Sequence, residues 1–365
     1  MKKDEFYAFL RKIPKAEIHL HAEGTISRNT VRTWLNRNAG QAGVDVDKLF
    51  SYNSLKEFIS SFLFVQGLIT KEDDLVVVFE DVADYLKANN IVYCELFFAP
   101  SMFMKNGFLF PDMLDIIQAT INKIEKRDKL TIKLIIDVSR TFGVENALAN
   151  LNLTISHKTP MVTGIGLGGD EEKGPAKLFK DVFELARKQG LHVVAHAGEV
   201  VGPESIWDAL KELKVERIGH GISAIQDPKL IKYLANNQIP VEICLTSNVI
   251  TQKYVTKAEE HPVRQFFDQG VLCVVNTDDP TFFNCTIIDE FWTLHSKLNF
   301  TMDEIKTLII NGFKGSFLDA KKKAAFIGKV DTAWGAGLEK ATPRKAASAA
   351  VPRKKAAPKK AGAKK

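Results

Sequence analysis

Eight short apolar runs with strand character, separated by segments of helical periodicity, constrain the fold of this 365-residue chain more than any other feature. They lie at 18–23, 91–98, 132–138, 162–168, 192–199, 217–222, 241–248 and 272–278. Between them, apolar residues recur at helical spacing, clearest over 54–68, 73–89, 113–126, 177–189 and 205–214. Strands alternating with helices argue for a parallel sheet, and eight such units are the number that closes into a (β/α)8 TIM barrel. An open doubly wound sheet competes, but no Gly-x-Gly-x-x-Gly follows the first run. The glycine-rich stretch Gly164-Ile165-Gly166-Leu167-Gly168-Gly169 sits in the fourth unit, and the acidic Asp170-Glu171-Glu172 after it would repel a phosphate.

A barrel collects its functional groups at the C-terminal ends of its strands. The first run carries His19 and His21 in Glu17-Ile18-His19-Leu20-His21-Ala22-Glu23-Gly24. Strand alternation puts the two imidazoles on one face, opposite Ile18 and Leu20. Alone, such a pair more often belongs to a half-buried strand, because a metal site needs three or four ligands. The fifth run ends in Ala195-His196-Ala197-Gly198-Glu199, the sixth in Gly219-His220-Gly221 and the eighth in Asn276-Thr277-Asp278-Asp279-Pro280. Each motif is weak by itself. Jointly they bring further polar groups to one mouth, where His19, His21, His196 and Asp278 suffice for a tetrahedral or five-coordinate metal site.

The set HLHAEG, LGGDE, HAGE, GHG and NTDDP, in this order and spacing, resembles the adenosine deaminase family of metal-dependent (β/α)8 aminohydrolases over roughly residues 8–320. The resemblance implies one Zn²⁺ per chain on His19, His21, His196 and Asp278, with His21 also facing the substrate. It sets Glu199 against the purine N1, His220 beside the attacking water, Asp279 at N7 and the Gly169 backbone at N3. Phe58, Ile59 and Phe62 match the apolar helix that lids the family's pocket. The 168–171 loop is of the nucleoside type, whereas Glu23 stands where most adenosine deaminases place an aspartate and adenine-type relatives tend to carry glutamate. Its additional methylene extends the carboxylate about 1.5 Å further, so that it either shortens the sugar space or turns aside. The expected reaction is adenosine or 2′-deoxyadenosine to the inosine product plus ammonia, ahead of adenine or 6-amino-6-deoxyfutalosine.

Charge divides the chain. Residues 340–365 hold ten of its 50 Lys and Arg and no acid, leaving 40 basic against 44 acidic groups elsewhere, a net of −4. Rich in Ala, Pro, Lys and Arg, this stretch has too little apolar surface to order itself and reads as a disordered tail suited to weak polyanion or nucleic-acid contact. Residues 1–339 read as the deaminase domain. No apolar run approaches a membrane span and the N-terminus lacks a signal-peptide core, so a cytoplasmic protein is expected. Cys94, Cys244, Cys273 and Cys285 form no Cys-x-x-Cys pair and read as buried thiols. Two other classes compete. A binuclear amidohydrolase would need a bridging lysine on the fourth strand, and 162–171 has none. A relic barrel binding nucleic acid through its tail would have lost part of a constellation that is complete. His157, His192, His261 and His295 fit no motif and read as structural.

Overall fold

A computed structural model of the chain describes residues 1–37, 41, 43–52 and 55–341. All eight predicted strands form: β1 (Lys15–His21), β2 (Ile91–Phe98), β3 (Thr131–Asp137), β4 (Val162–Leu167), β5 (His192–Ala197), β6 (Arg217–His220), β7 (Val241–Ile243) and β8 (Cys273–Val275). They pair in parallel and in sequence order. The barrel closes where Leu20 bridges Asp278: the His21 N–H donates to the Asp278 carbonyl at 3.0 Å, and the Asp278 N–H to that of His19 at 3.2 Å. Residues of the candidate site thus make the closure.

Alternation along the strands sorts two cores. Leu96, Leu134, Ile136 and Val193 join the large cluster shared with the outer helices, while Phe97, Ile135 and Val194 form a separate interior cluster on which Phe317 packs. Outer helices bury one stripe each. In Phe110–Asp128 that stripe is Met113, Leu114, Ile117, Ile121 and Ile124, and the helix stops where Lys129 takes a left-handed φ of 58°.

Every strand but β2 ends before its predicted bound, β1, β3, β4, β5 and β6 by one or two residues, β7 by five and β8 by three. Residues 244–248 leave β7 because the helix Leu245–Thr251 starts at once, its Leu245 and Thr246 N–H groups donating to the buried Glu290 carboxylate at 3.1 and 3.3 Å. Beyond β8, Asn276 turns its side chain into the barrel seam. Its Oδ1 accepts from the Ile18 and His19 N–H groups at 2.8 and 3.0 Å, where β1 is irregular between Glu17 and Leu20.

The last helix, Ala320–Ala341, runs past the predicted boundary at 339 and is fastened by Val330 and by Trp334, whose ring meets Phe9 edge-on at 4.8 Å. Residues 342–365 of the predicted tail lie outside the described residues, as does Ser54 at the start of the predicted 54–68 helix. Among the described residues, no helix is long and apolar enough to cross a membrane. The four cysteines are free and buried, as expected.

Candidate metal and catalytic centre

The ends of β1, β5, β6 and β8 meet at one point. Ligand atoms of His19, His196, His220 and Asp278 all lie within 4.8 Å of one another. His21 joins them, its Nε2 3.2 Å from Asp278 Oδ1 and 3.3 Å from His196 Nε2. His220 and Asp278 both hold left-handed φ values, 61° and 67°. For non-glycine residues such conformations cost on the order of 1–3 kcal/mol and persist where the surroundings enforce them.

Whether this cluster suits a cation can be judged from its own atoms. Glu242 Oε2 sits 2.6 Å from His19 Nδ1, which leaves the other ring nitrogen, Nε2, buried without a hydrogen-bond partner and 3.4 Å from Asp278 Oδ1. Burial disfavours charge on His19 and His21. The carboxylates around them outweigh it: Asp278 and Glu242 hold His19 up at about 9, and Asp279 and Asp278 hold His21 up at about 10. The carboxylates thus draw positive charge to His19 and His21, whereas burial and the neighbouring imidazoles push His196 down, and this set of imidazole and carboxylate donors suits a divalent transition metal such as zinc.

The expected catalytic groups border it. Glu199 Oε2 lies 3.7 Å from His220 Nε2, and burial together with the Asp278 charge pushes the Glu199 carboxyl up to about 8. Burial pushes His220 down to about 3. Asp279, beside the low Asp278, is raised by burial and by that neighbour's charge, and its Oδ1 is buried without a partner. Asp279 comes so close to Gly24 that a Cβ there would stand 2.2 Å from Oδ1, which is why glycine closes the HAEG motif.

Several supporting residues went unread in the sequence. Glu171 accepts the backbone N–H groups of Gly198, Glu199, Val200 and Val201 at 2.5–3.2 Å, and the Ser205 hydroxyl besides. It thereby fixes the loop carrying Glu199. Ser247 Oγ donates to Asp278 Oδ2 at 2.8 Å, and Arg140 donates to the His196 carbonyl at 2.5 Å. A usable signal existed for Glu242 and Arg217, single charges inside or at the edge of apolar strand runs, which burial forces to find partners.

On the substrate side, Glu23 is 2% exposed and takes a 3.3 Å hydrogen bond from Gln66 Nε2, so it is held rather than free to turn aside. Burial pushes its carboxyl up to about 7. Gly169 is exposed after β4 with a left-handed φ of 94°. Of the residues expected to form the lid, Phe58 and Phe62 pack on the Asp279-Pro280 side of the mouth, with ring centres 4.8 Å from Phe283 and 5.2 Å from Phe282 respectively. Ile59, one residue off that stripe, is 45% exposed.

A family model described as adenosine deaminase matches residues 14–333. An adenosine deaminase of Klebsiella pneumoniae is 36% identical over 329 residues, covering 87% of this chain and 98% of its own. An aminodeoxyfutalosine deaminase of Streptomyces avermitilis is 33% identical over 334 residues, covering 90% and 93%. The crystal structure of an adenine deaminase from Arthrobacter aurescens superposes with a TM-score of 0.83 at 27% identity, covering 88% of this chain and 98% of that one.

Proposed function

Since this chain belongs to the adenosine deaminase family of amidohydrolases, we propose that it hydrolyses the 6-amino group of adenosine or 2′-deoxyadenosine, releasing the 6-oxopurine nucleoside and ammonia, with one Zn²⁺ per chain on His19, His21, His196 and Asp278. A bound Zn²⁺ supplies a nucleophilic water at neutral pH by lowering water's pKa from about 15.7 to roughly 7.

The observation that carries this reading is the Glu199 carboxyl, held up at about 8 beside the metal cluster. As water adds to C6, electrons move onto N1, and N1 must gain a proton. A carboxyl still protonated at neutral pH can deliver it, a contribution typically worth about 10²–10⁴ in rate. Asp279, whose carboxyl is pushed upward by burial and by the Asp278 charge, in its protonated form suits donation to N7, which only accepts. The Gly169 backbone faces N3, while Phe58 and Phe62, with Ile59 on the same helix, cover the purine and exclude water.

One observation favours a second reading. Glu23 is pinned by Gln66 at the position where the family resemblance places the contact to the sugar, and a glutamate held there suits free adenine. The 168–171 loop supports the nucleoside, since it borders the purine edge from which the sugar leaves. The decisive experiment follows the ultraviolet change on deamination and compares kcat/KM for adenosine, deoxyadenosine, adenine and 6-amino-6-deoxyfutalosine. A nucleoside should lead. A preference for adenine of about tenfold or more, shifted toward adenosine by Glu23→Asp, would overturn the nucleoside assignment.

A further inference from the structure

Behind His220 lie two buried side chains, Asn248 and His261, 1% and 3% exposed. Their hydrogen bonds run in one direction. The backbone N–H of Val263 can only donate, and it meets His261 Nδ1 at 3.1 Å. That nitrogen is therefore unprotonated, and the ring, kept neutral by burial, carries its proton on Nε2. His261 Nε2 lies 3.2 Å from Asn248 Oδ1, which accepts. The Asn248 amide is thereby oriented with Nδ2 toward His220, 3.2 Å from Nδ1. An amide nitrogen has no lone pair to offer, so it donates, and His220 Nδ1 accepts.

We propose that Asn248 and His261 are positioning residues that fix the tautomer of His220, placing its proton on Nε2 so that this atom meets the reacting water as a hydrogen-bond donor. The directional logic of the three hydrogen bonds is independent of substrate; the catalytic consequence rests on the deaminase reading above. Two results follow. His220 Nε2, 4.0 Å from Asp278 Oδ2 and 3.7 Å from Glu199 Oε2, has no free lone pair for a metal, so His21 and not His220 completes the imidazole set. His220 also steadies the oxygen of the incoming water, turning a lone pair toward C6, and does not take up that water's proton: of the water's two protons, one leaves with the departing amine as ammonia and the other restores Glu199 after it has protonated N1. His261, which fits no sequence motif, becomes the outer end of a relay anchored to the backbone.

The test uses the zinc-loaded full chain with ¹⁵N-labelled histidine rings and long-range ¹H–¹⁵N correlation spectra, the His220 and His261 signals being assigned by their loss in His220→Asn and His261→Gln. Both rings should show a bare Nδ1 and a protonated Nε2. Asn248→Asp keeps the shape but accepts on both oxygens, so it should move the His220 proton to Nδ1 and lower kcat by about a hundredfold, with KM within about threefold of wild type. His261→Gln, whose amide can accept from Val263 and donate to Asn248, should keep kcat within about threefold, whereas His261→Leu should lose about tenfold. A wild-type His220 protonated on Nδ1, or an Asn248→Asp enzyme with unchanged kcat, would overturn the proposal. Should Asn248→Asp not fold, the wild-type tautomer and the His261 pair decide. The tautomer is read without substrate, so a failure of the substrate assignment leaves it standing.

Discussion

The floor and the mouth of the barrel are both buried and both charged, yet they treat their polar atoms in opposite ways. On the floor, Arg217 lies between Glu95 and Glu242, all 1% exposed or less, and also reaches the carbonyls of Gly315 and Ile18 at 3.3 and 3.4 Å. Glu95 accepts further from the Tyr93 hydroxyl at 2.7 Å and the Phe317 N–H at 2.5 Å. At the mouth, His19 Nε2 and Asp279 Oδ1 are buried and unpartnered. Buried polar groups are normally paired, so the floor reads as architecture and the mouth as reserved for ligands. The regions share one ring: His19 is fixed through Nδ1 by the floor's Glu242 and faces the mouth with Nε2. The carboxyls diverge likewise. Burial would raise Glu242, but the Arg217 charge overrides it and holds Glu242 low, whereas burial keeps Glu199 protonated up to about 8.

The contrast is broken most severely from below. Arg217→Met leaves the buried Glu95 without a cation and Glu242 with His19 alone, and should cost about 3–5 kcal/mol of stability, read by denaturant unfolding. Asp279→Asn at the mouth should move stability by less than about 1 kcal/mol while removing most of the turnover. Equal unfolding midpoints for the two variants would erase the distinction between floor and mouth.

Glu199→Gln sharpens the other side. It should retain metal and unfolding midpoint but lose about 10²–10⁴ in kcat, because an amide cannot deliver the proton. With Glu199 as the proposed acid, the active form of the wild type is the protonated one. kcat/KM should therefore hold below pH 8 and fall as pH rises through the Glu199 value of about 8. A profile flat to pH 10 would remove Glu199 as the acid.

A smaller effect is expected at Glu171, which braces the Glu199 loop at the mouth from behind. Glu171→Gln turns an amide against the four N–H groups it now accepts, and steady-state kinetics should show kcat falling about tenfold with KM little changed. An unaltered kcat would mean that the Glu199 loop holds its place without this carboxylate.

The barrel was legible because period and count are local properties: each apolar run announces itself within a few residues, and eight of them leave few topologies. The candidate metal ligands and the proposed acid were legible because they close strands, where a barrel gathers function. The bracing was not. Glu171 acts on a loop 27–30 residues away, and Asn248 reaches His220 across 28, separations that only the folded barrel brings together. His261 looked structural because its role depends on which nitrogen carries the proton, set by one backbone N–H. The exposure of Ile59 against the packing of Phe62 likewise depended on how the helix rolls over the mouth, which spacing alone leaves open.

The unpaired atoms at the mouth are expected to form one metal site and no second. Elemental analysis of the freshly purified full chain tests it most directly. One zinc per chain, lost in His21→Ala, is the predicted result. A stoichiometry near two, or a deaminase that keeps full activity after exhaustive chelation, would contradict it.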